Sequence, residues 1–233
     1  MRLWFIVSLV VTLAALAASL YVSFVAPELL PEKVPTHWNI KGDADAWVNR
    51  DQAWFYLLLM PGFMVLFTLL TLALPWLSPK VFSPERFRAT YFYIMGVVIV
   101  LFAYLDVIIL LASMKVPLDI GRWFAGGFFL FFAVLGNVMG KVRRNFWVGV
   151  RTPWTLASEM VWNRTHRFAA WLWVAAGVVG FIGSLAGVSL LICFAGLLVA
   201  ALTPVVYSLV LYKHLERTGQ LHEEVPEVSD PVA

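Results

Sequence analysis

The chain has 233 residues, 61% hydrophobic and 13% charged, with a mean hydropathy of +0.83. Soluble domains carry roughly 25% charged residues, so the polar surface here is too small for an ordinary soluble enzyme, a disordered protein or a nucleic-acid-binding domain. The pI of 9.1 rests on a net charge of only +3, and the single cysteine, Cys193, excludes a disulfide framework and a multi-thiolate metal site.

What remains is an all-α integral membrane protein. A spanning helix needs about 20 mostly apolar residues, and the uncharged stretches predict six transmembrane helices, at 3–25, 53–76, 90–113, 121–140, 167–185 and 188–212. The first follows Arg2 and runs through Tyr21 and Phe24. That is longer than the h-region of a signal peptide, so it is expected to be an uncleaved anchor.

Residues 27–52 form the first loop and contain PELLPEKVPTHWNIKGDADAWVNRD. Its prolines oppose helix, and Asn39, Gly42 and Asp43 are turn formers. Trp38 and Trp47 give an ordered loop something to bury, or join Trp54 in an interfacial aromatic belt. His37, Asp43 and Asp45 raise a metal site. One histidine beside a DxD supplies too few ligands for zinc, and the spacing is not that of a calcium loop. No metal and no cofactor are predicted.

Asp106, in the third helix, is the only acid or base expected inside a span. A charge at a helix centre costs about 2.5–3.5 kcal/mol, so it should face the bundle or a wet cavity. Tyr21, Ser23, Tyr56 and Ser189 lie at suitable depth to partner it. Asp106 is either a hydrogen-bonded structural group or part of the polar path of a small transporter or channel.

The loop 140–167 is rich in arginine and tryptophan. Thr152 before Pro153 reads as a helix start, with a hydroxyl at the N-cap and proline at the first position. An amphipathic helix of about eleven residues should follow. Trp154, Leu156, Ala157, Met160 and Val161 form its apolar face, opposite Thr155, Ser158, Glu159 and Asn163; Trp162 falls on the polar side. It should lie on the membrane surface, where the arginines would meet anionic headgroups. Alternatively, Trp162, Asn163, Thr165 and His166 dock a partner. Catalysis by His166 would need a second titratable group, and Glu159 is the loop's only carboxylate; no enzyme is predicted.

In the last two helices Gly177, Gly180 and Gly183 predict close packing, and Gly183, Ser184 and Gly187 predict the turn. The chain divides into a two-helix module at 1–76, a four-helix region at 77–212 and a disordered tail at 213–233. With both termini cytoplasmic, 12 of the 17 Lys and Arg fall on the inner side, as the positive-inside rule requires.

Two segments are more specific. LPEKVPTHWNIKGDADAW resembles the N-terminal module, of unknown function, found in the SdpI immunity-protein family of bacterial membrane proteins. GNVMGKVRRNFWVGVRTPWTLASEMVWNRTH resembles that family's signature. The resemblance implies a plasma-membrane protein that protects against a secreted peptide toxin at its outer face. It also implies signalling through retention of a cytoplasmic transcriptional repressor, with no direct nucleic-acid contact. By this likeness the outer motif is Pro35, Thr36, His37, Asn39 and Gly42. The inner motif is Gly136, Asn137, Asn145, Gly149, Arg151, Thr152, Pro153, Trp154, Trp162, Thr165 and His166.

Overall fold

The computed structural model describes residues 2–39 and 43–221; Gly42 and most of the expected tail lie outside the described residues. Among the described residues, six helical segments are long and apolar enough to cross a bilayer, and the protein is a multi-pass membrane protein. Helix α1 (Arg2–Leu20) ends in a π-helical turn, Tyr21–Val25. The second span is broken into α2 (Ala53–Leu57) and α3 (Leu59–Leu77). Pro61 accounts for the break, because its ring clashes with the carbonyl four residues back, that of Leu57. Helices α4 (Arg88–Ser113) and α5 (Ile120–Met139) complete the middle of the bundle.

The first loop is a β-hairpin, not irregular. Strands β1 (Lys33–Trp38) and β2 (Ala44–Asn49) pair antiparallel, with Val34 opposite Val48 and Pro35 opposite Trp47. Its anchors also differ from those expected. Leu30 and Val34 are each 1% exposed and pack on Ala53, Leu57 and Leu110, whereas Trp47 is 53% exposed. The period-2 alternation of a strand puts Val34 inward, and aliphatic residues fill the narrow gap above α2 and α4 better than an indole.

The expected interfacial helix is replaced by one turn, α6 (Pro153–Ala157). Ser158 is extended and caps a new helix, α7 (Glu159–Leu185), its hydroxyl accepting from the Val161 amide. The break resets the helical phase. Trp162, misplaced on the polar face of a continuous wheel, is therefore fully buried. The fifth span begins at Glu159 rather than 167. Gly183 and Ser184 are still helical, so the turn is made after them, with Gly187 at φ +85°. Helix α8 (Leu190–Arg217) extends five residues into the expected tail.

Helices α1 and α3 pack on α4, α5 packs most extensively on α7, and α7 on α8; α4 and α5 join the two halves. In lipid there is little hydrophobic drive between helices, so close backbone approach does the work. At Gly177 of α7, an added Cβ would lie 2.5 Å from the Ala133 amide nitrogen and 2.6 Å from the Phe129 carbonyl oxygen of α5. At Gly136 of α5 it would lie 2.8 Å from the Val174 nitrogen. The bundle has a hairpin end and, opposite, a signature end carrying the 140–158 loop.

Candidate functional site

The signature end is closed by a folded cap held by internal hydrogen bonds, with the buried Thr165 hydroxyl left without a partner among the described residues. Asn145 is fully buried. Its amide nitrogen donates to the carbonyls of Arg143 (2.8 Å) and Val148 (3.0 Å). Its oxygen accepts from the amides of Trp147 (2.7 Å) and Val148 (2.8 Å). One side chain thus replaces the secondary structure this turn lacks. Asn145→Ala would orphan four backbone groups. Allowing for water at the exposed ones, we expect a loss of about 2 kcal/mol and rapid trypsin cleavage at Arg143 and Arg144 in proteoliposomes, where the native loop resists. Unchanged cleavage would show that the asparagine does not order the loop.

Thr152 and Thr155 form a reciprocal capping box at the start of α6, as the Thr-Pro pair predicts. Thr155 Oγ1 donates to the Val150 carbonyl at 2.8 Å, and Thr152 Oγ1 pairs with Ser208 Oγ of α8 at 3.0 Å. Thr155 and Ser208 are both fully buried. Neither was expected: the TxxT spacing hinted at Thr155, but nothing local marks Ser208, 56 residues further on.

His166 and Trp162 form the centre. Their rings stack at 4.0 Å, and Trp162 Nε1 donates to the Val142 carbonyl at 2.7 Å. His166 Nε2 accepts from the Val150 amide at 3.0 Å. His166 Nδ1 faces the Trp162 carbonyl at 2.8 Å. A carbonyl only accepts and an amide N–H only donates, so the ring is the neutral Nδ1–H tautomer. Both nitrogens are engaged, which leaves no lone pair for a substrate. Gly149, at φ +113°, brings the backbone against Nε2. Around this pair, Val142 and Val150 join Tyr91, Met95, Met139 and Ala169 in one apolar cluster, so the cap closes over both halves of the bundle.

The inner-motif residues therefore divide. Asn145, Thr152, Trp162, Thr165 and His166 are buried and touch no surface partner directly. Gly136 and Gly149 provide close approach, and Trp154 is half-buried beside Val161 and Leu215. Asn137, Arg151 and Pro153 are exposed, as are Lys141, Arg143, Arg164 and Arg167. Arg151 donates to the Phe146 carbonyl and Arg144 to that of Leu156.

At the other end, the outer motif lies on β1 and the turn after it. Pro35 is buried, His37 is exposed and pairs through Nδ1 with Asp45, and the Asn39 side chain accepts from the Asp43 amide at 3.1 Å. Below β1 is a cavity of about 130 Å³ bounded by Pro35, Thr36, Trp38, Tyr56 and Ser113. Deeper, Asp106 is 1% exposed, and its Oδ1 accepts from Ser19 Oγ of α1 at 3.2 Å. Its partner is Ser19, not Tyr21, Ser23, Tyr56 or Ser189.

The SdpI/YfhL family model matches residues 141–208, which run from the start of the cap loop to the Ser208 hydroxyl that ties it to α8. Immunity protein SdpI of Bacillus subtilis (strain 168) is 26% identical over 171 residues, 73% of this chain and 78% of that protein. The chain is thus similar to the SdpI/YfhL protein family through its cap, α7 and most of α8. The matched region holds the whole hydrogen-bonded cap. A domain of unknown function (DUF1648) matches residues 5–65, which take in α1, the hairpin and the start of α3. No solved structure matches.

Proposed function

We propose that the protein confers immunity to a secreted peptide toxin from within the cell membrane. In this arrangement both termini are cytoplasmic, the hairpin is outside and the cap inside. The similarity to Immunity protein SdpI, along 73% of this chain and 78% of that protein, carries the proposal. The 12-to-5 distribution of basic residues supports the orientation. The toxin meets the hairpin face. On the cytoplasmic side, the exposed Lys141, Arg143, Arg164 and Arg167 beside the cap provide the surface that retains a transcriptional repressor. The buried signature residues hold that surface in shape and do not themselves make the contact.

Deleting the gene should sensitise its host to a secreted peptide, and expression from a plasmid should restore survival. Equal survival of the deletion and complemented strains across peptide-producing competitors would refute immunity. A reporter for the repressor's target separates the two parts. Reversing the charge of Arg164 and Arg167 should abolish the reporter response, and survival should persist.

A further inference from the structure

We infer that the cavity under β1, bounded by α2, α3 and α4, admits water and a small monovalent cation into the seam between α1 and α4, so that both reach Asp106 from the hairpin end but not from the signature end. The two helices run parallel with a hydroxyl-bearing seam between them. Along α1 and the π-helical turn that continues it the seam is Ser8, Thr12, Ser19 and Ser23; α4 contributes Asp106 and, seven residues on, Ser113. Two turns separate these last two, roughly 10 Å.

The two halves of the seam differ. Toward the signature end, Ser8 Oγ donates to the Trp4 carbonyl at 2.8 Å and Thr12 Oγ1 to that of Ser8 at 2.7 Å. Those hydroxyls are satisfied by their own helix and need nothing from a solvent or ligand. Toward the hairpin end, the buried hydroxyls of Ser23 and Ser113 have no hydrogen-bond partner among the described residues. Ser113 is 1% exposed and lines the 130 Å³ cavity under β1, beside Thr36 and Tyr56. An unpaired hydroxyl in a membrane interior costs about 1–3 kcal/mol. Most of the cavity wall is apolar, but Ser113, Thr36 and Tyr56 give a water in a space of this size its polar partners.

The backbone also changes there. The π-helical turn Tyr21–Val25 begins two residues after Ser19 and contains Ser23. Such turns are rare and concentrate at functional sites. A carboxylate followed by three hydroxyls toward one end forms a file of hard oxygen ligands, suited to a monovalent cation and its water. The file stops at Asp106, because the next hydroxyl inward, Thr12, is already bonded. This describes a binding pocket and not a channel.

The test uses full-length protein in sealed vesicles with Cys193→Ser as background, and silver ion, a monovalent cation that reacts with thiols, as the probe. Single cysteines replace Ser113, Ser23, Ser19 and Thr12. Thiol remaining after exposure to silver from one side is counted by maleimide in SDS. An Asp45→Cys reference on the hairpin reports which side it faces, so a wrong orientation in the membrane is told apart from a wrong pocket. Silver from the hairpin side should block positions 113, 23 and 19 and spare position 12. Adding Asp106→Asn should slow the reactions at 19 and 23 about tenfold by removing the attracting charge. The pocket is refuted if 113 and 23 react as slowly as 12, or if 12 reacts readily from the signature side. Unchanged rates in Asp106→Asn would refute the cation. If Ser19→Cys does not elute as a monodisperse peak, Ser23→Cys makes the same discrimination.

Discussion

Gly149→Ala should destabilise the protein by roughly 3–5 kcal/mol, combining strain at a positive φ with loss of a buried hydrogen bond. Gly149 sits at φ +113°, and a Cβ there would lie 2.2 Å from His166 Nε2. The imidazole cannot retreat, since it is fully buried, stacked on Trp162 and held through Nδ1 by the Trp162 carbonyl. The backbone cannot retreat without giving up the bond from the Val150 amide to Nε2. In detergent the midpoint of thermal unfolding should fall by roughly 10 °C, read as the fraction surviving in a monodisperse peak. Combining Gly149→Ala with His166→Ala removes the clash but keeps the strain. The two changes should therefore cost less together than the sum of the singles. Strict additivity would show that the contact between Gly149 and His166 is not what constrains the cap.

Gly177→Leu should be comparably damaging, at about 3 kcal/mol or more, because overpacking here meets backbone and not a movable side chain. The α5 amide of Ala133 and carbonyl of Phe129 stand 2.5 and 2.6 Å from where its Cβ would be. Relief requires the two most extensively packed helices to separate. Two glycines serve as controls. An added Cβ at Gly62 in α3 or Gly196 in α8 meets nothing within 4 Å. Leucine at either position should be neutral or gain up to about 0.8 kcal/mol in helix propensity. Yield of folded protein after membrane extraction measures all three. If Gly196→Leu were as harmful as Gly177→Leu, glycine would matter here for helix flexibility and the close approach would be irrelevant.

Much of the fold is legible along the chain. Each span is a run of apolar residues long enough to cross the bilayer, and Thr152-Pro153 marks a helix start with a local capping mechanism. The misplaced elements are those whose outcome depends on distant residues. Trp162 looked like a polar-face exception because a continuous wheel carries phase through Ser158. The extended break there is favoured by burial of the indole against Val142 and the α4 aromatics, which no window around Ser158 contains. Trp47, which read either as something for the loop to bury or as part of an interfacial belt, is exposed, since it is out of phase with the inward pair Val34 and Val48. The signature residues read as a docking surface because polar and aromatic residues in a loop commonly bind partners. Here Asn145, Thr152, Trp162 and His166 are bonded inside the protein, whereas Asn137, Arg151 and Pro153 are exposed.

Scarcity of charge, length of the apolar runs and the placement of lysine and arginine determined a six-span membrane protein and a candidate orientation, because the cost of burying charge in lipid acts on every residue independently of its neighbours. Tertiary structure alone decided the partner of Asp106, the tie from Thr152 to Ser208 and the burial of His166 beside Gly149. These are contacts between residues 16 to 87 positions apart, and hydrogen bonding and close packing are properties of pairs that no single stretch of sequence contains.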